Sequence, residues 1–114
     1  MPLSLSMAQA LKLWHSVNLS MVRDDDPDLS IRQMTVLLTI YLEAPPHTVR
    51  DLAKKLAVSK PVITRALDTM GKFELVSRRR DDSDRRNVLV QRTVKGALYL
   101  ERLSDNIGSR AKSL

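Results

Sequence analysis

The sequence predicts a mainly α fold, a winged helix-turn-helix with one small two-stranded antiparallel β-hairpin, the wing. Three observations predict it. Apolar residues recur at helical spacing in five segments of the chain. Two of these segments are joined by only three residues, Ala57-Val58-Ser59, as in a helix-turn-helix. Two runs rich in β-branched residues then flank a polar loop, which is typical of a hairpin.

Hydroxyl residues mark the start of four predicted helices, because they suit the N-cap position. Ser30, with Gln33 three residues later, predicts a capping box for a helix that runs to about Leu42. The other predicted caps are Thr48, followed by Asp51, then Ser59, followed by Pro61 in the first turn, and Thr93.

The two ends of the chain are each predicted to carry a helix. The first helix covers residues 4–23, and the acidic run Asp24-Asp25-Asp26-Pro27-Asp28 ends it. After Leu103 the apolar spacing fades, so we expect a frayed tail. The predicted organisation is therefore residues 1–28 as helix and acidic linker for dimerisation, 29–95 as the winged helix-turn-helix, and 96–114 as helix and frayed tail, also for dimerisation.

Composition excludes several classes of function. The 114 residues suffice for one domain, whose core must be aliphatic because aromatic residues make up only 4%. The absence of cysteine excludes disulfides, thiolate metal sites and cysteine nucleophiles. No apolar run approaches the ~18 residues of a membrane span, and the first six residues do not resemble a signal peptide. We expect a soluble, cytoplasmic protein with no membrane partner.

Positive charge is concentrated in the middle of the chain. Residues 45–95 hold thirteen basic and six acidic side chains, whereas residues 1–44 hold three basic and five acidic ones. Such a concentration favours a surface for a polyanion, although a solvated basic face without a partner would give the same count.

The second helix of the predicted helix-turn-helix presents a basic polar face. Lys60, Thr64 and Arg65 are expected to point away from its apolar side, and Pro61 and Val62 add apolar surface for a thymine methyl group. An α-helix with such a face fits the DNA major groove. An ordinary amphipathic helix with a hydrated face is the alternative.

The predicted wing is unusually rich in arginine. Arg78-Arg79-Arg80 precede the turn and Arg85-Arg86 follow it, with three aspartates between them. A phosphate backbone beside a narrow minor groove explains this density, because arginine is drawn into that groove. Asp84 is expected to hold and orient a neighbouring arginine.

From Ser30 to Leu103 the sequence resembles the MarR family of winged-helix transcriptional regulators. The similarity is clearest in residues 49–68, in the wing pattern Asp-x-x-Asp-Arg-Arg over residues 81–86, and in Thr-x-x-Gly over residues 93–96. The resemblance implies a homodimer on a pseudo-palindromic operator. It places Ser59, Lys60, Thr64 and Arg65 on recognition-helix positions, and Arg86 at the wing tip, held by Asp84.

The chain departs from the family pattern in three places. Pro61 and Val62 stand where small polar residues are common, and Ala57 stands where glycine is frequent. The chain also ends before the long C-terminal helices that help family members to dimerise. We therefore expect a dimer to rely on residues 4–23 and the helix after Thr93, and the family's effector pocket to be reduced or missing.

No pattern predicts catalysis, a metal or a cofactor. His15 and His47 stand alone, and the loop aspartates Asp81, Asp82 and Asp84 are neutralised by arginines. The three glycines form no phosphate-binding loop. Trp14 and Tyr99 either fill the junction between helices or line an effector pocket.

We therefore predict a non-enzymatic, cofactor-free regulator that binds double-stranded DNA sequence-specifically as a homodimer, with a small-molecule effector left open. A nonspecific architectural DNA binder and a protein-interaction module that uses residues 5–21 are the alternatives. The predicted DNA-binding residues are Ser59, Lys60, Pro61, Val62, Thr64, Arg65, Arg78, Arg80, Arg85, Arg86, Lys54 and Lys55, with Asp84 orienting the wing.

Overall fold

The computed structural model describes residues 4–114, which form five helices and a three-stranded sheet. The elements are α1 Met7–Arg23, α2 Ile31–Leu42, β1 His47–Thr48, α3 Val49–Leu56, α4 Lys60–Lys72, β2 Val76–Arg80, β3 Val88–Arg92 and α5 Val94–Lys112. The predicted mainly α, winged-helix fold is confirmed. The described chain divides into two compact units, residues 4–28 with Tyr99–Leu114, and Leu29–Leu98. The first three residues lie outside the described residues. They belong to the predicted segment 1–28 and to the region in which we predicted no signal peptide.

Local side-chain hydrogen bonds begin the helices of the Leu29–Leu98 unit. Ser30 and Gln33 form the predicted capping box, in which each side chain accepts the other residue's N–H at 3.1 and 2.9 Å. Thr48 accepts the Asp51 N–H at 3.0 Å, and Thr93 accepts the Gly96 N–H at 2.9 Å. These bonds satisfy amides that the first helical turn leaves without a partner.

The core of this unit is aliphatic, as the composition predicts. Its members come from α2, α3, α4, the strands and the turn after α4, and they are Val36, Leu37, Ile40, Leu52, Ala53, Ile63, Ala66, Leu67, Met70, Leu75, Val76 and Val90. α2 packs against α3, α4 and β3, so this helix lies at the centre of the unit.

The sheet has one strand more than the sequence predicts. β2 and β3 form the predicted antiparallel hairpin, with Val76 opposite Arg92 and Arg80 opposite Val88. β1 adds to the other side of β3, where His47 lies opposite Val90. A strand of two residues is too short to show an alternating pattern, which is why the sequence did not reveal it.

The hydroxyl of Tyr41, at the end of α2, joins distant parts of this unit. It accepts the Thr93 N–H at 2.9 Å and lies 2.9 Å from the Leu75 carbonyl oxygen and 3.1 Å from the Thr93 carbonyl oxygen. A Cβ atom at position 96 would overlap the Tyr41 hydroxyl and the Leu75 carbonyl oxygen, so only glycine fits there. This close approach gives the Thr-x-x-Gly pattern a physical cause.

The other unit differs from the sequence prediction at both helices. α1 begins at Met7 rather than residue 4, because Ser6 and Gln9 form a capping box. The frayed tail is wrong, because α5 continues to Lys112. Tyr99, Leu103 and the polar Asn106 share one buried or half-buried face, and this packing outweighs the low helix propensity of the residues that follow.

Contacts within this unit tie the acidic run to α5. The Arg102 guanidinium donates two hydrogen bonds to the Asp26 carboxylate, both of 3.0 Å, and the Tyr99 hydroxyl donates to the Pro27 carbonyl oxygen at 3.3 Å. Burial, followed by the nearby charges of Asp26 and Asp28, raises the pKa of Tyr99. None of the helices in residues 4–114 is both long and apolar enough to cross a membrane.

Ala57, in the turn between α3 and α4, adopts a left-handed conformation with φ 55° and ψ 46°. This conformation lets the Val58 N–H donate to the Ala53 carbonyl oxygen at 3.0 Å and so end α3. It is one that glycine adopts freely and alanine does not.

We expect Ala57→Gly to raise the free energy of unfolding by about 0.5–1 kcal/mol, since relief of ~1–2 kcal/mol of backbone strain outweighs glycine's larger conformational entropy in the unfolded chain. Urea denaturation measures this change. Ala97→Gly, at an exposed helical position of α5, is the matched control and should cost about 1 kcal/mol. Destabilisation by both substitutions would contradict the strain at Ala57.

Candidate nucleic-acid interface

Helix α4 separates an apolar face from a polar one. Ile63, Ala66, Leu67 and Met70 are buried, as their spacing predicts. The face opposite them carries the exposed side chains Lys60, Pro61, Thr64, Arg65 and Asp68, with Val62 half-buried beside it. Burial of one side thus determines which side chains face outward.

The exposed polar side chains near the start of α4 have no partners among residues 4–114. Lys60, Thr64 and Arg65 form neither an ion pair nor a side-chain hydrogen bond within this part of the chain. Ser59 lies at the N-cap, but its side chain does not make the cap bond that the sequence predicts. Four polar groups are therefore available to a ligand at this end of the helix.

The wing loop is held by its own polar groups. The Asp81 carboxylate accepts from the Ser83 hydroxyl at 2.7 Å and from the Ser83 N–H at 3.0 Å. The Asp81 N–H donates to the Asn87 carbonyl oxygen at 3.1 Å, which closes the loop between β2 and β3. The side-chain bond from Ser83 is the largest cause of a lowered Asp81 pKa.

The Asp84 carboxylate contacts both the backbone and the side chain of Arg86. One carboxylate oxygen accepts the Arg86 N–H and the Arg86 Nε, both at 3.1 Å, and the other lies 3.4 Å from Nη2. The side-chain bond to Arg86 is the largest cause of a lowered Asp84 pKa. The Arg86 side chain nevertheless stays 89% exposed, so Asp84 constrains the guanidinium without covering it.

The other wing arginines differ in what they bind. Arg78 forms an ion pair with Asp68 of α4 at 2.8 Å, and Arg79 lies 3.7 Å from Asp82. Arg80 donates to the carbonyl oxygen of Arg85 at 2.8 Å. The Arg85 guanidinium has no ion pair or hydrogen bond with any residue of the described chain.

The two lysines of α3 also differ. The Lys55 ammonium forms an exposed ion pair with Glu43 at 2.8 Å, whereas Lys54 is exposed and pairs with no described residue. The predicted interface residues are thus all at least partly accessible, but some already bind a carboxylate.

Two residues of this region have contacts that the sequence did not reveal. Arg92, at the end of β3, donates to the Ile40 and Glu43 carbonyl oxygens at 2.8 and 2.9 Å, with its guanidinium 5.8 Å from the centre of the Tyr41 ring. Asp68 binds Arg78, a contact that the sequence analysis did not predict. Arg92 is 49 or more residues from its partners and Arg78 is ten residues from Asp68, so no local sequence pattern predicts either contact.

Residues set aside from the interface have ordinary environments. His47 is buried in β1 with its Nε2 atom 3.1 Å from the Glu43 carbonyl oxygen, and His15 is exposed on α1. Trp14 is 58% exposed and Tyr99 is buried, so the two do not form one aromatic pair in a core. No group of three or more potential ligands in residues 4–114 is arranged to hold a metal ion.

The sequence model of the MarR family matches residues 29–88, more than half of the chain. The chain belongs to the MarR family. It is therefore placed among transcriptional regulators rather than enzymes, as predicted. No curated protein sequence matches it.

Several solved structures have a similar fold. A mutant of MepR from S. aureus superposes with a TM-score of 0.76 at 16% identity, over 96% of this chain and 82% of that one. YusO from Bacillus subtilis gives 0.74 at 20% identity, over 90% and 70%. A mutant of MarR from E. coli, solved in complex with operator DNA, gives 0.69 at 27% identity, over 92% and 69%.

We expect Arg86→Ala to raise the pKa of Asp84 towards the ordinary value of 3.8, because the largest cause of its depression is removed. At pH values above the pKa of the unfolded state, a carboxylate whose folded-state pKa is lowered stabilises the folded wing. This stabilisation is lost as the pH falls through the folded-state pKa. An NMR titration of the aspartate carboxyl carbons measures the pKa values of both Asp84 and Asp81. Asp81, whose pKa is lowered mainly by Ser83, should keep its low pKa, and an unmoved Asp84 would refute the assigned cause.

Proposed function

We propose that this protein is a transcriptional regulator that binds a specific DNA sequence as a homodimer. The observation that carries the proposal is the unpartnered face of Lys60, Thr64 and Arg65 on α4, beside a wing whose exposed Arg86 is oriented by Asp84. The presence of operator DNA in the E. coli MarR structure supports DNA as the ligand of this face.

In this proposal α4 enters the major groove, which is about 12 Å wide and admits an α-helix. Arg65 suits bidentate hydrogen bonding to guanine, and Lys60 and Thr64 hydrogen-bond to other base edges. Ser59, at the N-terminus of α4, donates to a phosphate, since its hydroxyl makes no cap bond. Pro61 and Val62 contact a thymine methyl group.

The wing contacts the second groove of the DNA in this proposal. Arg86 inserts into the flanking minor groove, where A·T-rich DNA has an enhanced negative potential. Its hydrogen bonds to Asp84 restrict the guanidinium before DNA arrives, which lowers the entropy lost on binding.

Phosphate contacts complete the proposed interface. Lys54 and Arg85 meet the backbone directly, since no carboxylate among the described residues binds them, and Arg80 joins them from its bond to a carbonyl oxygen. Lys55 and Arg78 would first have to leave Glu43 and Asp68.

Dimerisation is proposed to use the unit formed by residues 4–28 and Tyr99–Leu114. Met7, Leu11 and Trp14 are exposed at i, i+4 and i+7 along one face of α1, a pattern typical of a helix that packs against a partner. We place the regulator in the cytoplasm, where it would meet DNA.

A cavity of about 130 Å³ in this unit is lined by residues such as Met21, Pro27, Tyr99 and Leu103. A second, more open cavity of about 370 Å³ in the same unit is lined by residues such as Ser16, Leu19 and Arg110, so a small-molecule effector stays open.

Selection of binding sites from a random DNA pool at about 150 mM salt tests the proposal, followed by a salt series on the selected site and on scrambled DNA. We expect a two-fold symmetric site with half-sites about one helical turn apart.

Two other functions have specific support. The arginine-rich wing favours an architectural protein, which would bind all sequences equally, and the apolar face of α1 favours a protein-interaction module, which would bind no DNA even at low salt.

We expect Arg65→Ala to cost about 1–3 kcal/mol on the selected site and to relax the preference at one base pair, because a base contact is lost. Binding measured on the selected and scrambled duplexes shows this. Lys54→Ala is the comparison variant and should weaken both duplexes equally, reducing the salt slope by about 1. An equal loss on every sequence for Arg65→Ala would reassign Arg65 to a phosphate.

A further inference from the structure

An ion pair connects the exposed face of α4 with the first strand of the wing. Arg78 Nη2 lies 2.8 Å from Asp68 Oδ1, with the two side chains 33% and 52% exposed. The guanidinium extends across α4 as far as Gly71, where an added Cβ would lie 4.0 Å from the same nitrogen atom. Arg78 therefore lies along the helix surface rather than projecting from the strand into solvent.

Asp68 continues the row of side chains proposed to face DNA. Lys60, Thr64 and Asp68 are spaced four residues apart, so they share one face of α4. Eight residues of helix span about 12 Å, which is close to the width of the major groove. Because the N-terminal residues of a recognition helix contact base edges, we expect Asp68, two turns after Lys60, to lie nearer the phosphate backbone, with Arg78 beside it.

A carboxylate beside phosphates opposes binding unless a cation neutralises it. Arg78 supplies that cation, but the same guanidinium is a good ligand for phosphate. Exposed ion pairs contribute little to stability, so a DNA phosphate can compete with the Asp68 carboxylate for Arg78.

We propose that Asp68 is an intramolecular competitor of DNA phosphate for Arg78, and that this competition lowers the sequence-independent part of the affinity. The proposal rests on the DNA-binding function proposed above. It assigns Asp68 a role as a positioning residue, because it acts by holding Arg78 and not by contacting a base.

The test is a double-mutant cycle of Asp68→Asn and Arg78→Gln in the full chain, with binding to a scrambled duplex measured over a salt series. With Arg78 present, Asp68→Asn should strengthen binding about fivefold near 0.15 M salt and steepen the slope of log K against log salt by about 0.9, the value of one phosphate contact. In the Arg78→Gln background the same substitution should leave the slope unchanged.

Asp105→Asn controls for net charge, since it removes an exposed carboxylate of α5 that pairs with no described residue, and it should not steepen the slope. Thermal melting of each variant checks folding, and Asp68→Glu, which keeps the carboxylate, should bind like the parent protein.

An equal gain from Asp68→Asn in both backgrounds would mean that the carboxylate only repels DNA, and it would overturn the competition. Absence of any gain would overturn it too, because Arg78 would then not reach a phosphate. Failure of the parent protein to bind DNA at low salt is a separate result, which would overturn the proposed function itself.

Discussion

The hydroxyl group of Tyr41 is the contact on which the winged-helix unit depends. It lies between segments that are 34 and 52 residues away, the turn after α4 and the start of α5. Both segments bring backbone polar groups into a partly buried position, where a polar group without a hydrogen-bond partner costs about 1–3 kcal/mol. The hydroxyl accepts the Thr93 N–H and has one proton to donate to the neighbouring carbonyl oxygens of Leu75 and Thr93. The glycine at position 96 follows from the same contact, because a side chain there would displace the hydroxyl. A pattern that looks like a family signature is thus a packing requirement.

The same junction positions both parts of the candidate interface. α4 ends where the Leu75 N–H donates to the Met70 carbonyl oxygen at 3.0 Å, and the carbonyl of Leu75 then meets the Tyr41 hydroxyl. The other strand of the wing ends at Arg92, which binds the last carbonyl groups of α2 and lies over the Tyr41 ring. The C-terminus of α4 and both wing strands are therefore fixed to the end of α2. Because their relative position is built in, the proposed interface would lose little conformational entropy when it meets two grooves at once.

The interactions that were predicted correctly lie between residues close in sequence, although the local Ser6–Gln9 capping box was missed and the cap bond of Ser59 was predicted wrongly. The capping box of Ser30 and Gln33 spans three residues, and the buried face of α4 repeats every turn, so both leave a local pattern. The Asp84–Arg86 contact is also local. β1 is too short for a pattern, and α5 continues because polar Asn106 shares a buried face with apolar residues, which periodicity in hydrophobicity does not detect. The Asp68–Arg78 and Tyr41 contacts depend on the packed fold, and their residue types are compatible with many other partners.

Charge counting alone overstates the cationic surface of this protein. The middle of the chain is rich in arginine, yet Arg78 binds a carboxylate of α4, Arg80 a carbonyl oxygen of the loop, and Arg92 the end of α2. These guanidinium groups stabilise the fold or the wing. A count of basic residues in the sequence does not distinguish them from guanidinium groups that stay accessible. Among the polar side chains predicted for the interface, those without a partner in residues 4–114 are Ser59, Lys60, Thr64 and Arg65 at the start of α4, Lys54 in α3 and Arg85 in the wing loop. In the proposed function Arg78 must leave Asp68 to reach a phosphate, whereas side chains without partners meet DNA directly. Affinity therefore depends on which charges have partners as well as on their number.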